Sequence, residues 1–159
     1  VNADGNAASN DGMDCFILDY RKAGECSYAS ANFTVFGQRG EEIVEIKNDY
    51  GSVGYRLEAD DAVPTFETRT ITLFDYDNLV IVSDGILDQI GGPKQLSLGR
   101  RRLLDMIRDA ITSQDSSGWT GRRYIDGAAL RESIRHYQGE NEQRDDMTLL
   151  ILPSGKTPE

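Results

Sequence analysis

What the sequence has least of narrows its chemistry first. Of its 159 residues one is histidine, His136, and two are cysteine, Cys15 and Cys26. A zinc centre built on imidazole and thiolate donors is therefore disfavoured. Two cysteines are also too few for a disulfide scaffold. They fall on what read as neighbouring strands, where a bridge is conceivable, but reduced thiols are the better expectation. Positive charge is short as well: 17 Lys and Arg against 27 Asp and Glu give a net charge of −10. Such a surface repels nucleic acid and anionic lipid, so neither is an expected partner. No apolar run approaches the roughly 20 residues that cross a bilayer. The polar opening residues also lack the basic and apolar regions of a signal peptide. No repeat or low-complexity block is found.

What is present suits a globular domain: 38% hydrophobic and 28% charged residues, in a chain long enough to bury a core. One domain over 1–159 is expected, with 1–11 an opening loop and 154–159 a tail. The chain opens at Val1 in a run rich in Asn, Ala, Asp and Gly, which reads as an internal segment.

Residues Met13 to Tyr20 are apolar on both parities and predict a buried strand, followed by a second from Glu25 to Ala31 after a turn at Arg21 to Gly24. Asn32 to Phe36 and Glu42 to Ile46 predict another pair around a Gly37–Gly40 turn. Consecutive strands without helices between them argue for antiparallel sheet. Asn48 to Pro64 reads as a long loop, and Thr65 to Phe74 as a strand turning at Asp75–Asn78 into Leu79–Val82, which places the latter on one arm of a hairpin. Helical spacing of Leu103, Leu104, Ile107 and Ile111 predicts one amphipathic helix, and Leu130, Ile134 and Tyr137 a second, capped by Asp126 and ended near Gly139. Met147 to Leu152 is a last apolar strand, closed by Pro153. The order gives an α+β fold with helices laid on antiparallel sheet.

The chain is organised around Asn78 to Gly92, where an apolar strand runs into Ser83-Asp84-Gly85 and a further acid at Asp88. Alone, this is better explained as a turn with a solvated helix acid. Asp145, in Arg144-Asp145-Asp146-Met147-Thr148, changes that balance: Asp84 follows one short apolar strand and Asp145 precedes another. If those strands are antiparallel neighbours, both carboxylates reach the same end of the sheet. Carboxylates without imidazole or thiolate select hard cations, Mg²⁺ or Mn²⁺. Two such ions about 3.5 to 4 Å apart can activate a water and clamp a phosphoryl group, so phosphate-ester hydrolysis is the natural chemistry.

Ser83 to Asp88 and Arg144 to Thr148, in this order and with helices between, resemble the late motifs of the PP2C (PPM) metal-dependent serine/threonine phosphatases, in the bacterial stage II sporulation protein E type branch. Asn10–Asp14 leading into a strand, Tyr28–Asn32, Gly51–Gly54 and Gly99–Leu103 resemble that branch in order and spacing, so the likeness covers about Asp11 to Leu152. The resemblance implies an αββα sandwich, an antiparallel β-sandwich flanked by helices, with two or more Mg²⁺ or Mn²⁺ ions at one end. It makes Asp84 and Asp145 metal ligands. Asp88 and Asp146 fall at positions behind the ligands or at a third metal, and Ser83 and Gly85 shape the turn. It implies a phosphorylated regulatory protein of the anti-sigma-factor-antagonist type as substrate, in the cytoplasm or on the cytoplasmic domain of a membrane-anchored protein.

One element of the family is missing. Its early motif, an acid followed by a glycine-rich turn whose Asp bridges both metals, has no counterpart; Asp4-Gly5 is the only candidate by position, and no apolar strand precedes it. The expectation is therefore the C-terminal part of a phosphatase domain, with association with an upstream fragment or a homodimer both open. The alternative is a phosphatase-like regulatory or binding module without catalysis. His136 reads as a surface helix histidine rather than an acid catalyst, and Arg100–Arg102 as a solvated helix face rather than a phosphate site. Trp119 and Tyr124 are open between partner docking and packing under their loop.

Overall fold

The computed structural model describes residues 12–54, 65–112 and 123–154. The chain runs through β1 (Cys15–Tyr20), β2 (Glu25–Ala31), β3 (Thr34–Arg39), β4 (Glu42–Ile46), β5 (Arg69–Thr72) and β6 (Asn78–Val82) before its first helix. There follow α1 (Asp84–Asp88), the short pair β7 (Ile90–Gly91) and β8 (Leu96–Ser97), and α2 (Gly99–Asp109). A second short pair, β9 (Ile111–Thr112) and β10 (Tyr124–Ile125), precedes α3 (Gly127–Gln138) and β11 (Leu149–Pro153). Asp4-Gly5, Trp119 and the tail beyond Ser154 lie outside the described residues.

Two antiparallel sheets carry the fold, ordered β1-β2-β5 and β11-β6-β3-β4. All five residues of β6 are buried because the strand is covered on both faces. On one side Leu79 meets Cys26, Tyr28 and Ile71 of the other sheet, together with Phe16, Leu18 and Leu152. On the other side Val80 and Val82 join Phe36 under Leu103 and Ile107 of α2 and Leu130 and Ile134 of α3. The expected antiparallel sandwich flanked by helices is formed, and α1, α2 and α3 all contribute to the layer over the four-stranded sheet. Asp126 caps α3 as expected, its Oδ1 accepting from the N–H groups of Ala128 (2.9 Å) and Ala129 (3.0 Å).

Three expectations are corrected. Residues Thr65–Phe74 and Leu79–Val82 do not make a hairpin: β5 pairs with β2 and β6 with β3 and β11, in different sheets. A 3-10 turn at Leu73–Asp75, with Leu73 buried between the sheets, carries the chain across. Gly37 is not a turn residue but lies inside β3, where a Cβ would collide with the Tyr76 ring; the turn falls at Gly40, whose φ of 59° favours glycine. Strand β1 is not buried on both faces: Ile17 and Tyr20 are more than half exposed. Cys15 and Cys26 sit at opposite ends of the paired strands, Cys15 opposite Ala31 and Cys26 opposite Tyr20, too far apart to bridge.

Candidate active site

β6 and β11 are antiparallel neighbours, with Val82 opposite Leu149, so the residue after one strand and the residues before the other share an end of the sheet. Ser83 ties these two ends together. Its N–H donates to the Thr148 carbonyl (3.0 Å), and its Oγ donates to the Asp146 carbonyl (3.0 Å) while accepting from the Thr148 N–H (2.9 Å). Gly85 is needed for the same closeness, because a Cβ there would run into the Asp146 carbonyl. Asp84, the first residue of α1, and Asp145 consequently line one cavity of about 470 Å³.

A third acid of the other sheet faces them. Asp14, immediately before β1, lines the same cavity. Its Oδ1 accepts from Asn32 Nδ2 (2.8 Å) and Ser52 Oγ (2.7 Å), and Asn32 Oδ1 in turn accepts from the Gly51 N–H (2.7 Å). Asn32 holds this position with φ of 62°, a left-handed conformation that asparagine tolerates better than most side chains. The strand-like bridge between Met13 and Val53 (2.9 and 2.8 Å) brings the 49–54 loop to the start of β1.

Burial raises the Asp84 carboxyl above its usual range, and the Asp14 charge, a hydrogen bond between the two carboxyls and the Asp145 charge add to it. Carboxylates that repel each other in this way are the electrostatic counterpart of a site for a cation. In kind, the donors fit a hard divalent ion. In number they fall short: among the described residues no three acids, histidines or cysteines close around one point. Asp84 and Asp145 would hold such an ion only together with further donors.

Of the residues singled out from the sequence, Ser83, Asp84, Asp145 and Asp146 converge on this cavity. Asp88 is exposed on α1 and does not line it. Asp14, Asn32 and Ser52 were missed as site residues, although the rule that found Asp145, an acid just before an apolar strand, also describes Asp14. His136 is exposed on α3 and lines a different, larger groove of about 1060 Å³ between α2 and α3, away from the converging carboxylates. The arginine run is dispersed: Arg100 pairs with Glu45 (3.6 Å) and lies over the Tyr50 ring, whereas Arg102 donates to the Ser97 and Leu98 carbonyls and lies over Tyr137. Neither faces the cavity.

The family model for stage II sporulation protein E (SpoIIE) matches residues 4–153. The chain belongs to the SpoIIE family. Its fold is similar to the SiaA-PP2C domain of Pseudomonas aeruginosa, with a TM-score of 0.62 and 27% identity over 84% of this chain and 47% of that one. It is also similar to the SpoIIE phosphatase domain of Bacillus subtilis in a manganese-presoaked form, at TM-score 0.56 and 17% identity, covering 93% of this chain and 59% of that one. A bacterial serine phosphatase matches at TM-score 0.52 and 14% identity over 89% of this chain and 53% of its own. No curated protein sequence matches significantly. This SpoIIE-family chain thus spans about half the length of these solved chains.

Proposed function

We infer that this SpoIIE-family chain forms part of a metal-dependent phosphoprotein serine/threonine phosphatase. The observation that carries this reading is the convergence of Asp84 and Asp145 at one end of the paired strands β6 and β11, with Asp14 facing them. In this reading Asp84 and Asp145 are ligands of Mg²⁺ or Mn²⁺, and Asp146 is an outer partner. When bound, such ions supply an activated water and offset the charge of the phosphoryl group. The chain's own residues orient that chemistry: Ser83 locks the two ligand-bearing loops, and Asn32 and Ser52 fix the Asp14 carboxylate. The substrate is a phosphoserine or phosphothreonine protein of the anti-sigma-factor-antagonist type, and the setting cytoplasmic.

Phosphate release from a phosphoserine protein in the presence of Mn²⁺, and its loss on adding EDTA, test the reading. Asp84→Ala and Asp145→Ala should each lower turnover by more than the roughly 10- to 100-fold typical of losing an outer-shell partner. Unchanged turnover in both variants sinks the metal assignment. The second reading, a phosphatase-like binding module without catalysis, is favoured by the incomplete set of donors among the described residues. Calorimetry separates the two: no Mn²⁺ uptake and no phosphate release, with the phosphoprotein still bound, selects the module.

A further inference from the structure

A second groove, of about 500 Å³, lies between α3 and β11. Its apolar floor is Ile86, Ile134, Met147 and Ile151, and its rim carries Arg131 and Arg135, one turn apart on α3. Both arginines are exposed and have no ion-pair partner among the described residues. Among the described residues no Asp or Glu lines the groove, although the chain as a whole carries a net charge of −10. Two guanidinium groups without an ion-pair partner among the described residues thus lie over an apolar trough in an acidic chain.

The groove is continuous with the candidate active site in the chain itself. Ile86 lies two residues after Asp84, and Met147 two after Asp145. Gln143, on its wall, donates from Nε2 to the Asp145 carbonyl (2.8 Å). A segment seated here would place the residues next to it at the carboxylates.

The geometry points to this groove as the docking surface for the phosphoprotein substrate, taking a segment that carries acidic residues beside apolar ones. The inference rests on the phosphatase reading and adds to it the part of the substrate that is recognised. The apolar side chains fill the trough, and the acids meet Arg131 and Arg135, whose fork geometry suits carboxylates. An approaching acidic phosphoprotein meets repulsion from the net charge, and the two arginines offset it locally, on the helix packed beside the strands that carry Asp84 and Asp145.

The test compares two substrates in the presence of Mn²⁺: p-nitrophenyl phosphate, which has no docking segment, and a phosphoserine peptide flanked by glutamates and leucines. The double variant Arg131→Glu, Arg135→Glu should raise KM for the peptide by about tenfold. It should leave kcat and p-nitrophenyl phosphate turnover unchanged, and Arg131→Lys, Arg135→Lys should restore most of the loss. An unchanged KM, or a parallel fall in p-nitrophenyl phosphate turnover, overturns the proposal. If neither substrate is turned over, the phosphatase reading has failed, and fluorescence anisotropy of the unphosphorylated acidic peptide then reads the groove by itself. Binding abolished by charge reversal supports the docking surface, and binding that survives it overturns the surface. A dimer dissolved by the same double variant assigns the groove to a second copy of the chain and overturns the substrate assignment.

Discussion

Gly85 shows how closely the two strand ends are fitted. Its space is taken by the backbone of Asp146, so no side-chain rotation can relieve an added methyl. Gly85→Ala should force the 144–148 loop away from α1, stretch the Ser83 bonds to Asp146 and Thr148, and lower stability by about 1–3 kcal/mol, as overpacking does. A thermal melt reads this, and a variant as stable as the parent would show that the loops tolerate separation. The carboxylates held by this fit were legible in the sequence because each borders a short apolar run that reads as a strand, and the two runs match. Asp14 borders such a run too. What gives it a place in the site is its bonds to Asn32 and Ser52, which lie 18 and 38 residues away. No local spacing signals a partnership of that kind. The left-handed backbone at Asn32 is equally silent in a sequence, since asparagine there is permitted rather than required.

Among the elements, the 49–54 loop matters most for the site, because Ser52 rides on it, and one ion pair anchors it. Arg69 on β5 meets Asp49 through two bonds, Nη1 to Oδ2 (2.7 Å) and Nη2 to Oδ1 (2.6 Å), with both side chains largely shielded. The Asp49 Oδ2 also accepts from the Glu67 N–H (2.8 Å). These bonds, Arg69 first, lower the Asp49 carboxyl from 3.8 to about 2. A depressed carboxyl contributes stability that is full above its unfolded value and is lost as pH falls through the folded one. The fold should therefore weaken between about pH 3.8 and pH 2. Asn at position 49 carries no charge to lose, so the melting temperature of Asp49→Asn should start lower at neutral pH and converge with that of the parent near pH 2. Parallel curves for the two proteins would remove the pair from the acid response. Strand β2 and helix α3 were readable because their patterns are uninterrupted. The link between β5 and β6 was not, because adjacency in sequence suggests a hairpin and only the burial of Leu73 between the sheets shows that the chain changes layer. Gly37 misled for a similar reason: glycine marks turns more often than it marks the space beneath a tyrosine ring.

At the scale of the molecule, antiparallel sheet with a helical cover was legible from the order of elements, whereas the second sheet of the sandwich was implied only by the family resemblance. How the layers depend on one another was not legible, since that follows from the four-stranded sheet serving two cores, most deeply at the fully buried β6. Its Leu79 packs between the sheets, and its Val80 and Val82 pack under α2 and α3. A strand shared in this way couples the three layers, so neither core can open while the other stays closed. Leu79→Ala leaves a cavity between the sheets and should cost about 2–5 kcal/mol. If the coupling holds, two probes on opposite sides of β6 should shift by the same amount on heating: the helical circular dichroism, which reports α2 and α3, and the reactivity of the Cys26 thiol, which is fully buried between the sheets. Earlier exposure of Cys26 with the helical signal unmoved would mean that the three-stranded sheet melts by itself. Asp14 would then leave the site before Asp84 and Asp145 part, because it belongs to that sheet and they belong to the other.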